Sequence, residues 1–287
     1  MTKSISVTAR AKINLYLHVT GKRADGYHLL DMLVVFAATG DEIRVSAADD
    51  LSLSIDGPFG AGLSAGSDNL VLRAAAGLRD LAGIDAGARI HLTKNLPLAS
   101  GIGGGSADAA ATLQALMQLW RIEPPRAALF DLAARLGADV PVCLDGRASF
   151  VGGIGEEIAP IGPLPEAYLL LVNPLVETPT PAVFKARTGD FSAPARWSRN
   201  PANIQELATQ LASRRNDLTA PAIKLAPVVA EVLDAIAATP DCQLARLSGS
   251  GATCFGIYET QAQAEAARSA ILSQHADWWA VATKVAA

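Results

Sequence analysis

From residue 12 to residue 19 polar and apolar side chains alternate without a break. Lys12, Asn14, Tyr16 and His18 fall on one face, and Ile13, Leu15, Leu17 and Val19 on the other. A repeat of two marks a β-strand with one buried face. Turn residues at 21–26 lead to an apolar run at 29–38, then to strands at 41–47 and 51–55 split by Asp49 and Asp50. A Gly/Ser-rich stretch at 57–66 precedes a helix over 69–82, with Ser67 or Asp68 as the expected cap. Residues 89–95 alternate again as a short strand. Farther on, Ala109, Leu113, Leu116 and Trp120 form a helical stripe at i, i+4, i+7 and i+11. A second helix over 125–136 ends at Gly137, and strands follow at 148–151 and 157–161.

The Pro- and Gly-rich stretch at 160–165 is the expected boundary between two domains, 1–160 and 161–287. The second part offers a strand at 168–172, a Pro/Thr-rich turn at 177–181 and an unpatterned loop at 189–200. Helices are expected at 203–214, 227–238 and 261–275, with a glycine hairpin at 247–258 and a closing strand at 278–285. Strands and helices mix without a regular βαβ rhythm, which favours an α+β fold over a doubly wound sheet.

Composition narrows the function. Half of the 287 residues are hydrophobic and 18% are charged, so the chain is globular and not disordered. A net charge of −4 argues against a general nucleic-acid binder. No apolar window is long enough for a membrane span, and the first residues carry no apolar leader, which points to the cytoplasm. Cys143, Cys242 and Cys254 are odd in number and widely spaced, as buried free thiols are, and form neither a disulfide framework nor a zinc site.

The strongest chemical signal is the segment Pro97, Leu98, Ala99, Ser100, Gly101, Ile102, Gly103, Gly104, Gly105, Ser106 and Ala107. Glycines are costly here unless backbone must approach a ligand closely. A helix beginning near Ser106 would aim its free N–H groups at an anion such as a polyphosphate. The Walker A pattern fails because no lysine follows in register. The dinucleotide fingerprint fails because its third glycine position is Ser106.

Other residues admit two readings. Lys12 could reach a phosphate or a reacting hydroxyl and Asn14 a substrate polar group, or both lie on a solvated sheet face; His18 is read as structural. Asp139, with Pro141 just behind it, is a helix cap, a general base, or both. The turn Ser248, Gly249, Ser250, Gly251 is a plain hairpin or a second backbone clamp. Tyr27, His28 and Phe184 offer flat faces to a ring, though aromatics are usually core.

Taken together, Ala11-Lys12-Ile13-Asn14-Leu15, the 97–107 loop and the 248–251 turn resemble the GHMP kinase superfamily. Asp25-Gly26-Tyr27-His28, Gly137-Ala138-Asp139-Val140-Pro141, Pro179-Thr180-Pro181 and Asn216-Asp217-Leu218 extend the resemblance across nearly the whole chain. They point to members acting on a cytidine diphosphate-linked polyol. The resemblance implies a domain like the second domain of ribosomal protein S5, followed by a ferredoxin-like domain. It further implies phosphorylation of a hydroxyl by ATP with Mg²⁺, with Lys12 and Asp139 catalytic and 97–107 holding ATP. Tyr27 and Phe184 would sandwich cytosine, His28 would bond the base edge, and Asn14 and Thr180 would contact the polyol. Mg²⁺ would be held by ATP oxygens and water, and no protein ligand is assigned to it. One departure is visible: the family loop often ends Ser-Ser, whereas Ala107 follows Ser106 here. The rivals are a superfamily kinase for homoserine, mevalonate or a sugar, whose substrates have no base to stack, and a non-catalytic nucleotide binder.

Overall fold

The computed structural model describes residues 4–286; the start of the chain, read above only for its lack of an apolar leader, lies partly outside them. The chain forms two compact units that interleave along the sequence. The first takes the chain up to Ala11 with Thr39–Leu96 and Gly103–Gly146, and the second takes Lys12–Ala38, Pro97–Ile102 and everything from Arg147 onward. A single cut at 160 therefore does not describe the division. Two long strands, β1 (Ser4–Lys22) and β2 (His28–Ala48), each contribute one portion to each unit.

In the first unit β4 (Gly87–Thr93) lies between β3 (Leu51–Asp56) and the second half of β2. Strands β3 and β4 run parallel, which requires a crossover, and α1 (Leu70–Ala82) provides it. The α1 cap is Asn69, whose side chain accepts from the Val71 N–H at 2.9 Å, and not Ser67 or Asp68. Ser64 and Asp68 bond each other instead. Helices α2 (Gly104–Trp120), α3 (Arg126–Leu136) and the short α4 (Val140–Asp145) complete the unit. Its core is built from Ile43, Val45, Ala74, Leu78, Ile90, Leu113 and Leu116.

In the second unit the first half of β2 pairs with β5 (Ser149–Gly153), and β5 with β6 (Glu157–Pro160). A separate antiparallel sheet has the order β10-β7-β9-β8. Its strands are β7 (Tyr168–Asn173), β8 (Leu244–Leu247), β9 (Cys254–Tyr258) and β10 (Trp279–Lys284). Helices α8 (Val228–Ala237) and α9 (Gln261–Gln274) pack on it, completing a ferredoxin-like β-α-β-β-α-β unit. Helices α5 (Thr180–Ala186), α6 (Ile204–Ala212) and α7 (Thr219–Leu225) fill the connection from β7 to α8. Of these, α5 replaces part of the turn expected at 177–181, and α7 has no counterpart in the sequence reading. Among the described residues no helix is long and apolar enough to cross a membrane.

Candidate active site

Helix α2 begins at Gly104, two residues earlier than expected, so Gly104 and Gly105 form the first helical turn and not the loop. Its N-cap, Gly103, takes a left-handed conformation (φ 66°) and has no side chain with which to cap. A Cβ on Gly105 would meet nothing within 4 Å, so this turn presents bare backbone. The first amides of a helix lack intrahelical acceptors and sit at its positive end, an arrangement suited to an anion. In the same unit Asp139 stands at the N-cap position of α4, half-buried, but its side chain makes no capping bond. The cap reading of Asp139 is thus not realised by its carboxylate.

In the second unit the polar face of β1 is not solvated. Lys12 is 4% exposed, Asn14 and Tyr16 are fully buried, and His18 is buried. The Lys12 ammonium donates to Asn14 Oδ1 at 3.3 Å, and the Lys12 N–H donates to the Ile102 carbonyl at 2.9 Å. Asn14 donates its backbone N–H to Ser248 Oγ at 3.2 Å, and Ser248 Oγ donates to the Gly101 carbonyl at 3.2 Å. Lysine is almost never so buried without a partner or a task. The His18 ring, read as structural, is held from both sides: Nδ1 lies 3.0 Å from the Ala193 carbonyl, and the Arg215 N–H donates to Nε2 at 3.2 Å.

The 248–251 turn closes the β8–β9 hairpin and packs on the 100–101 backbone. Thr253 N–H donates to the Ser100 carbonyl at 3.1 Å. Asn216 holds the turn, donating from Nδ2 to the Leu247 and Gly249 carbonyls at 2.8 Å each. Sequence reasoning quoted Asn216 without a role; a polar residue in a matched motif was the available signal.

Thr180 and Phe184 both lie on α5. Thr180 Oγ1 is 2.8 Å from Ser250 Oγ. The Phe184 ring stacks on His28 with centroids 5.0 Å apart and planes 23° apart, so the two rings touch and hold nothing between them. Tyr27 stands outside this stack, 60% exposed in the turn after β1. Partial burial, and then the charges of Lys22 and Arg187, lower the His28 pKa, so its imidazole is neutral at pH 7.

Two carboxylates pin the irregular 189–200 segment: Asp31, which the sequence did not single out, and Asp217, which was quoted there without a role. Asp31 accepts from Tyr16 OH (3.0 Å), Ala195 N–H (2.7 Å) and Arg196 Nε (2.9 Å). Asp217 accepts from Val19 N–H, Ser192 Oγ and Arg215 Nε. Burial alone would raise the Asp217 pKa, but these donors outweigh it and lower it. Also unforeseen is a buried group in the first unit, Asp41, Lys94 and Asp108, beside the start of α2. Among the described residues no group of three or more His, Cys, Asp or Glu side chains is arranged to hold a metal ion.

Comparison with known proteins gives this arrangement a class. Residues 69–147 match the GHMP kinases N terminal domain, and residues 195–277 match GHMP kinases C terminal. The chain belongs to the GHMP kinase family, and it is a kinase. It is 55% identical to the 4-diphosphocytidyl-2-C-methyl-D-erythritol kinase of Paramagnetospirillum magneticum over 96% of both chains. With the kinase of the same name from Rhodospirillum rubrum it shares 52% identity over 98% of this chain and 93% of that one. A crystal structure of 4-(cytidine 5'-diphospho)-2C-methyl-D-erythritol kinase matches 99% of this chain and 100% of its own, with a TM-score of 0.81 and 35% identity. The α+β, two-domain expectation is borne out at the level of this family fold.

Proposed function

We propose that the protein transfers the γ-phosphoryl group of ATP to the 2-hydroxyl of 4-diphosphocytidyl-2-C-methyl-D-erythritol, a step of the non-mevalonate route to isoprenoid precursors. The observation that carries this reading is the 55% identity, over 96% of both chains, to a relative of that name. The bare first turn of α2 and the glycines before it suit the triphosphate, whose charge Mg²⁺ partly neutralises when bound. Asp139 accepts the proton of the attacking hydroxyl, the oxygen bonds to the γ-phosphorus, and ADP leaves. Lys12 places its positive charge against the transferring group. Asn14 and Thr180 hold the polyol, and the cytosine is recognised by Tyr27, His28 and Phe184. Neutral His28 can both donate to and accept from the base edge. The buried thiols Cys143 and Cys254, outside any disulfide, suit a reducing cytoplasm.

The test is phosphoryl transfer from Mg-ATP followed by ³¹P NMR, with mevalonate and homoserine as parallel acceptors. A new phosphomonoester signal on the cytidyl substrate alone is expected. Transfer to another acceptor and not to this one would overturn the substrate and the roles of Tyr27, His28 and Phe184.

A further inference from the structure

Lys94 directly follows β4, on the stem that leads through Asn95 and Leu96 into the glycine segment, and it is 2% exposed. Its ammonium bonds Asp41 on β2 and Asp108 on α2, the latter at 2.7 Å. Asp41 is fully buried, and its other oxygen accepts from the backbone N–H groups of Asn95 at 2.6 Å and Leu96 at 2.8 Å. Those two amides are the last of the stem that enters the 97–103 loop. Asp108 lies in the second turn of α2, the stem that leaves it. Between the stems, a Cβ on Gly104 would stand 3.1 Å from Lys94 Nζ, so the ammonium lies directly against the first helical residue.

From this we propose that Asp41, Lys94 and Asp108 are positioning residues, a buried ionic clamp that holds the two stems of the loop at one spacing and so sets ATP affinity. The functional half of this statement rests on the reading that the loop binds ATP. A buried ion cluster is a poor way to add stability, because apolar side chains of similar volume do as well or better. What it adds is direction. One ammonium must meet two carboxylates, and one of those carboxylates must also meet two backbone amides. Apolar packing would tolerate a shift between the stems, and this network does not. Asp108 Oδ1, buried and without a hydrogen-bond partner, marks a group held for its geometry at the expense of full hydrogen bonding. Burial pushes the Asp108 carboxyl up to about 7, against the pull of Lys94 and with the push of the Asp41 charge. Removing the lysine would leave two carboxylates facing each other across the stems with nothing to hold them.

The experiment compares the whole wild-type protein with Lys94→Met and Asp41→Asn. Amide exchange at residues 95, 96 and 104–107 reads the clamp directly and needs no activity. Kinetics with Mg-ATP and the cytidyl acceptor read its consequence. For each variant that folds by circular dichroism, exchange at those amides is expected to rise at least tenfold over the wild type. The KM for ATP is expected to rise at least tenfold, with the acceptor KM within twofold. A folded variant with wild-type exchange at the stems overturns the clamp. One with faster exchange and an unchanged KM for ATP overturns its link to ATP affinity, and a proportional loss of both affinities reduces the triad to a structural role. Should Lys94→Met fail to fold, Asp41→Asn decides: it keeps the shape and an oxygen for the two amides and removes the Asp41–Lys94 ion pair. A wild type that exchanges as expected but uses no ATP would overturn the functional reading and leave the mechanical clamp standing.

Discussion

Gly101 and Gly249 lie back to back: a Cβ on Gly249 would sit 2.6 Å from the Gly101 carbonyl oxygen, and one on Gly101 would sit 2.5 Å from the Ser248 carbonyl oxygen. Both have positive φ, +74° and +55°. The two glycine turns are therefore one backbone assembly, stitched by the Ser248 hydroxyl to the Gly101 carbonyl and by the Thr253 N–H to the Ser100 carbonyl. Neither turn can carry a side chain on its inner side. Gly249→Ala should lose at least ~1–2 kcal/mol from the left-handed backbone alone, with the backbone collision added to that. Urea unfolding should show this loss, and the KM for ATP should rise because the 100–101 segment is displaced. A variant with wild-type stability and kinetics would mean that the turns separate freely.

Asp139 and Lys12 are the residues on which the chemistry is proposed to rest. Asp139 makes no side-chain cap on α4, so replacing it by Asn should leave that helix intact. General-base assistance is typically worth about 10²–10⁴-fold. Asp139→Asn should thus lower kcat by about that factor while ATP affinity, measured by fluorescence titration, stays within twofold. Near-normal kcat would remove the general base from the mechanism.

Phe184 is stacked on His28, and the proposed function places the cytosine of the substrate against the same ring. Truncating Phe184 removes a stacking surface worth roughly 1–3 kcal/mol per base. Phe184→Ala should raise the KM of the cytidyl substrate about tenfold or more and leave the KM for ATP alone. Because burial and the charges of Lys22 and Arg187 lower the His28 pKa from its ordinary value, the substrate KM should be flat at and above neutral pH and rise only toward acidic pH. An unchanged substrate KM in Phe184→Ala would take the ring out of the site.

Local patterns were legible wherever one physical rule acted alone. The β8–β9 hairpin, α3, α6, α8 and α9 follow from period and punctuation, and the glycines of 101–105 followed from chemistry that tolerates no side chains. The polar face of β1 was misread because alternation reports the pleat and not the solvent: Asn14, Tyr16 and His18 are buried by partners more than a hundred residues away, or by side chains from β2 and the 189–200 segment. The α2 start was placed two residues late because Gly104 and Gly105 were read with the loop, whereas they form the first helical turn. Asp41, Lys94 and Asp108 share no motif and no period. They come from a strand, a strand end and a helix 14 to 67 residues apart, and only the fold joins them.

Asp108 also carries a pH dependence whose sign follows from its environment. In the unfolded chain its carboxyl titrates near 3.9, and in the fold burial beside Asp41 raises it to about 7 despite Lys94. The folded state therefore binds the extra proton between those values, so stability from this group is complete below about pH 4 and is lost as pH rises through 7. Above that range its contribution is constant. Asp108→Asn replaces the titrating group with a neutral one of the same shape that still offers Lys94 an oxygen. Relative to the wild type, the variant should gain stability on going from pH 5 to pH 8, by an amount on the order of a few kcal/mol. Urea midpoints of both proteins at the two pH values measure it. An equal difference at pH 5 and pH 8 would show that Asp108 stays ionised across the range, with the Lys94 charge outweighing burial.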